Sequence, residues 1–139
     1  MYGLPTRVEF TEAAKDLLRL LTKRNGPLMF HQSGGCCDGS APMCYPAGEF
    51  RTGGSDVMLE EIEVEGIEKP IRFWMSAEQF EYWKHTHLTI DVVPGRGSGF
   101  SLETTENKRF LTRSRMYSDQ EWEQLKDAKV PNGNEVMAQ

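Results

Sequence analysis

No stretch of this sequence approaches the roughly 18 consecutive apolar residues that a membrane-crossing helix needs. The first fifteen residues, MYGLPTRVEFTEAAK, carry charge early and lack the apolar core of a secretory leader. A membrane is therefore not an expected partner. Basic residues are outnumbered, 16 against 21 acidic, for a net charge of −5. A general binder of phosphate backbones presents a basic face, so nucleic acid is not expected either. There is no P-loop, no G-x-S-x-G elbow and no dinucleotide fingerprint. The glycines of Gly95-Arg96-Gly97-Ser98-Gly99 lie between two strand patterns and read as a hairpin turn. Cysteine is scarce and odd in number: three thiols cannot all pair within one chain. That count points to a reducing, cytoplasmic setting in which thiols stay free or bind metal. Internal repeats and low-complexity tracts are also lacking.

What is present suits one globular unit. The 139 residues, 38% of them hydrophobic, can bury a core without disulfide staples. We expect a single α+β domain over residues 1–128 and a mobile tail over 129–139, where little is left to bury.

The first element is a helix. Thr11 suits the N-cap, and Ala13, Ala14, Leu17, Leu18 and Leu21 recur at helical spacing. Lys23 and Arg24 complement the dipole at its end, and Asn25-Gly26-Pro27 stops it. Leu28–Gln32 reads as a short strand, followed by a long loop from Ser33 to Gly48. Asp56–Val64 alternates, with Met58, Glu60, Ile62 and Val64 as the better core face. Pro70–Met75 is a further strand. Ser76-Ala77-Glu78-Gln79 is a capping box that starts a short helix to about His85. His87–Val93, Ser98–Thr104 and Phe110–Met116 supply more strands. A second capping box, Ser118-Asp119-Gln120-Glu121, opens a helix carrying Trp122 and Leu125. The fold class is α+β: a small antiparallel-rich twisted sheet or pseudo-barrel, with an N-terminal, a short middle and a C-terminal helix.

Chemistry concentrates in one segment, Phe30 to Tyr45. It holds Cys36, Cys37 and Cys44, with His31 at its start, Asp38 and Met43 nearby, and Gly34, Gly35 and Gly39 to let the backbone turn. Thiolates are both nucleophiles and soft-metal ligands. Three thiolates and one imidazole suit Zn²⁺ or an iron or iron–sulfur centre, with Gln32 and Asp38 as orienting partners. Other readings stand beside it. Free cysteine is often a buried small hydrophobe. A Cys37–Cys44 disulfide would close a small loop, and a thiol nucleophile could draw on His31, His85 or His87 as base. His85 and His87 form a metal pair only if one strand face holds both; a helix end followed by a strand start separates them. Arg109, Arg113 and Arg115 share one strand face by parity and read as a solvated face. Exposed aromatics such as Tyr82 or Trp122 would suit a homo-oligomer surface.

The run Phe30-His31-Gln32-Ser33-Gly34-Gly35-Cys36-Cys37-Asp38-Gly39-Ser40, with Pro42-Met43-Cys44-Tyr45 and the later Trp74-Met75-Ser76, resembles the uncharacterised bacterial DUF779 family from about Arg7 to Met116. Such proteins are often encoded beside aldehyde dehydrogenases. The resemblance therefore implies an aldehyde dehydrogenase or another oxidoreductase as partner and an accessory role. A more distant similarity is to A-type iron–sulfur carriers of the HesB/IscA kind. It rests on Val8–Ala14, on Ser33–Gly39, on Arg72–Ser76 and on Gly99–Leu102. It implies a small pseudo-barrel in which Cys36 or Cys37 stands for the carrier's loop thiol. The carriers end in a C-x-C pair that this chain lacks; Cys44 or His31 would have to substitute. The expectation is an accessory protein whose cysteine loop binds Zn or iron.

Overall fold

The structure, a computed structural model, describes residues 6–32, 42–47, 53–95, 101–128 and 130–133. Among the described residues seven strands and three α-helices follow one another as β1 (Val8–Phe10), α1 (Glu12–Asn25), β2 (Leu28–Gln32), β3 (Met43–Pro46), β4 (Asp56–Ile62), β5 (Ile71–Ser76), α2 (Ala77–Trp83), β6 (Thr86–Pro94), β7 (Lys108–Met116) and α3 (Asp119–Leu125). A 3-10 helix, Leu102–Glu106, lies between β6 and β7. The class is α+β, with the three helices where the sequence places them. Among the described residues no helix is long and apolar enough to cross a membrane.

The strands form two small sheets, in the orders β1-β6-β7 and β3-β2-β5-β4. Each contains one parallel pair, β1 with β6 and β2 with β5, so both are mixed. Among the described residues they do not close into a barrel. The core lies between the two sheets and α1. Phe30 is its hub: fully buried, it packs edge-on to Phe110 at 4.9 Å and touches the rings of Phe10 at 5.6 Å and Phe73 at 5.8 Å. Ala14, Leu17, Leu18 and Leu21, the buried stripe of α1, complete it.

Local chemistry fixes the ends of α1. The Thr11 hydroxyl accepts from the Ala14 N–H at 3.2 Å and donates to Asp91 Oδ1 at 2.9 Å, so one side chain caps the helix and ties it to β6. At the other end Gly26 turns the chain at φ 79° and its N–H reaches Thr22 O at 2.8 Å. The hydroxyls of Ser76 and Ser118 accept from Gln79 and Glu121 at the starts of α2 and α3.

Three sequence readings need correction. The loop from Ser33 to Gly48 contains a strand, β3, whose residues pair antiparallel with β2. In β4 the inward face changes at a bulge between Met58 and Glu60. Val57 and Leu59 therefore join the core, although parity had assigned the inward face to Met58; Val64 does join it. Of the strand expected over Ser98–Thr104, residues 98–100 lie outside the described residues and 102–104 belong to the 3-10 helix, in which Glu103 is buried. Residues 130–133 run along β4: Met58 N–H donates to Pro131 O at 2.8 Å and Gly133 N–H to Gly53 O at 2.9 Å.

Candidate functional site

Side chains alternate across a strand, so β2 presents two different surfaces. Leu28 and Phe30 point into the core, while Met29 packs with Trp74, Tyr45 and Met58 in a separate cluster on the opposite face. His31 shares the parity of Met29. Its Nε2 lies 2.8 Å from Asp56 Oδ1, and the imidazole is only 4% exposed. The second Asp56 oxygen accepts from the Gly53 N–H at 3.1 Å, which fixes the carboxylate. An imidazole held by a rigid carboxylate has a set ring orientation, as metal-bound histidines commonly do.

The register extends this face into a row. His31 stands opposite Met43 on β3 and Trp74 on β5, and Trp74 stands opposite Met58 on β4. Met43, His31, Trp74 and Met58 thus cross all four strands in order, each about 4.8 Å from the next. The Tyr45 hydroxyl donates to Met43 Sδ at 3.3 Å. The segment bearing Cys36 and Cys37 connects β2 to β3, so it leaves and re-enters the sheet beside the His31–Met43 pair.

Cys44 is on the other side. It is paired with Phe30, wholly buried, and part of the main core. Burial pushes its thiol well above the usual range, and the nearby Glu103 carboxylate pushes further in the same direction. Cys44 and His31 therefore face opposite sides of one sheet and do not share a centre. The reason is parity: a residue directly opposite Phe30 points with Phe30 and away from its neighbour His31. The raised thiol also counts against Cys44 as a nucleophile or as an easily formed half of a Cys37–Cys44 disulfide.

A buried polar chain runs past the Cys44 backbone. Its N–H donates to Ser101 Oγ at 2.8 Å, and the Ser101 hydroxyl donates to Glu103, whose other oxygen accepts from the Phe110 N–H at 3.5 Å. Burial raises the Glu103 carboxyl, and its bonds to Ser101 and to backbone N–H groups pull it partly back. Gln32 also faces inward, accepting from the Thr112 hydroxyl at 3.0 Å and so linking the two sheets.

Cys36, Cys37, Asp38, Gly34, Gly35 and Gly39 lie outside the described residues. Among the described residues no three His, Cys, Asp or Glu side chains gather round one point. His85 and His87 do not converge. His85 is exposed and packs on Trp122 at 4.4 Å, while His87 is buried on β6 beside Tyr117. Burial lowers the His87 imidazole, with Arg115 reinforcing and Glu9 and Glu121 opposing. Arg113 and Arg115 are paired with Asp91 and Glu121, as a solvated strand face should be.

Asp56 was missed by sequence reading, since nothing in a single chain ties it to His31 across 25 residues. Ser101 and Glu103 were missed with it, although an acid inside an apparent strand was a signal that the strand reading was strained. No curated protein and no solved structure matches the chain. The model of the family described as "Domain of unknown function (DUF779)" matches residues 17–116, the span that holds both the His31–Asp56 pair and the cysteine segment, and the chain belongs to that family.

Proposed function

We propose that this protein is an accessory protein that binds a soft metal, Zn or iron or an iron–sulfur centre, where the cysteine segment meets the β3-β2-β5-β4 sheet. Cys36, Cys37 and His31 are the protein ligands, and Asp56 is the partner that orients His31. The observation that carries the reading is the 2.8 Å His31–Asp56 contact: a buried imidazole is held by a carboxylate at the point where a segment rich in glycine and thiols begins. Cys44 leaves the ligand set because it is paired with Phe30 in the core. The neighbourhood of aldehyde dehydrogenases typical of this family supports an assisting role to an aldehyde dehydrogenase or other oxidoreductase in the cytoplasm.

Elemental analysis of protein purified under reducing conditions tests this. Stoichiometric metal, lost in Cys36→Ser, Cys37→Ser or His31→Gln and kept in Cys44→Val, supports it. Metal-free protein of unchanged stability removes it. The burial of Cys44 favours one second reading, a metal-free interaction module with packed thiols. Cysteines that are unreactive in native, metal-free protein would favour that module.

A further inference from the structure

Protonating His87 would bury a charge where little answers it. Leu88 and Ile90 point into the core, so His87 lies on the opposite face of β6. Its imidazole is only 3% exposed, and Nδ1 has no hydrogen-bond partner. Nε2 faces the Thr6 hydroxyl at 3.4 Å and Glu9 Oε1 at 3.6 Å, and the Glu9 side chain is largely in water. On β7, Arg115 stands directly opposite His87. Its guanidinium takes both oxygens of Glu121 on α3, at 2.9 and 3.0 Å, so that carboxylate is already engaged. At the entrance to β1, the Arg7 guanidinium lies over the Phe80 ring at 5.5 Å and reaches Ala128 O at 3.5 Å. Glu60 on β4 accepts from the Arg7 N–H at 2.8 Å. Tyr117 covers the imidazole edge-on at 6.4 Å, its own hydroxyl buried and unpartnered. Burial holds the imidazole below its ordinary range, with Glu9 pulling the other way.

The cover over His87 is tied down less firmly than the strands beside it. Tyr117 leads into α3, seven residues with one buried side chain, Leu125. By contrast, β1 is paired to β6 and sends Val8 and Phe10 into the core. Elements with few buried apolar contacts open first. We propose that His87 is an acid-sensitive latch: neutral, it lets Tyr117 and α3 lie against the β1-β6-β7 sheet; protonated, it releases them. The latch is independent of metal binding.

An imidazole lowered by folding binds fewer protons in the closed state than in the open one. Closure is therefore at full strength above the ordinary histidine value of 6.5 and weakens as pH falls from there to the folded value. Burial raises the Glu60 carboxyl, which gives it the opposite sign. A charged His85 would draw the Trp122 ring, 4.4 Å away, and fasten α3. Neither group can produce a loss of closure in acid.

The test is hydrogen exchange of the full-length protein at about pH 7.5 and about pH 5.5, corrected for intrinsic rates, with the histidine ring signals titrated by NMR. Protection of the α3 amides should fall by up to about tenfold per pH unit below the ordinary histidine value, because one proton is taken up, while β6 amides keep theirs. His87→Gln should abolish the fall, and His85→Gln should leave or deepen it. Should His87→Gln fail to fold, the wild-type titration decides: the opening of α3 must follow the His87 ring signal. Equal α3 protection at both pH values, a fall that persists in His87→Gln, or one that follows another group overturns the latch.

Discussion

Replacing Cys44 separates a core residue from a ligand. Cys44 is fully buried, faces Phe30, and has its backbone N–H tied to Ser101 at 2.8 Å. That hydrogen bond belongs to the main chain and survives any side-chain change. Cys44→Val puts a β-branched group of similar size on a strand and should cost less than about 1.5 kcal/mol. Cys44→Ala removes the sulfur's contacts and leaves a small void, for about 1–2 kcal/mol. Cys44→Ser places a hydroxyl among phenylalanines and costs about 1–3 kcal/mol unless it finds Glu103 as acceptor. Urea unfolding of metal-free protein reads these differences as shifts of the midpoint at constant m-value. Metal content, measured on the same variants, should be unchanged in all three. A Cys44→Val protein as stable as wild type but stripped of metal would refute the assignment of this thiol to the core.

Phe30→Ala removes the ring that joins both sheets and should cost about 3–5 kcal/mol in urea unfolding, against less than about 1 kcal/mol for truncating the exposed Tyr82. Thr11→Ala loses a cap and a bond to Asp91 together, for about 1–2 kcal/mol. The Glu103 carboxyl is raised in the folded state, so the native protein binds more protons than the unfolded chain just above the ordinary glutamate range, near pH 4.3. Its contribution to stability is therefore fully present below that range and is lost as pH rises through the folded value. Glu103→Gln should remove that loss, and its stability relative to wild type should climb with pH across the window; a pH-independent difference would contradict the buried carboxyl. Asp56→Asn should weaken metal retention by about 10–100-fold while leaving the unfolding midpoint of the apoprotein nearly unchanged.

Much of the fold was legible because it follows from local chemistry. The caps at Thr11, Ser76 and Ser118, the stop at Gly26 and the stripe of α1 each depend on residues within a turn or two of one another. What escaped depends on distant partners. The bulge in β4 is visible only against β5, and without it strict alternation sends Val57 and Leu59 to the wrong side. Strand β3 is four residues long and inconspicuous alone; pairing with β2 makes it a strand. The site divides in the same way. Residue types marked the cysteine segment, but the face each residue takes is set by register. For that reason the sequence grouped Cys44 with His31 and gave no hint of Asp56.

The parallel pairing of β1 with β6 has a consequence for how the chain is made. Val8 must wait for Leu88 before it has a strand partner, so β1, made long before β6, is among the last strands to be paired. Contacts between such remote parts of a chain slow its folding and leave apolar edges open meanwhile. In a growing polypeptide the stripe of α1 would lack its final partners until β6 had emerged. A copy truncated before that strand should therefore collapse and clump, with no native half to rescue it.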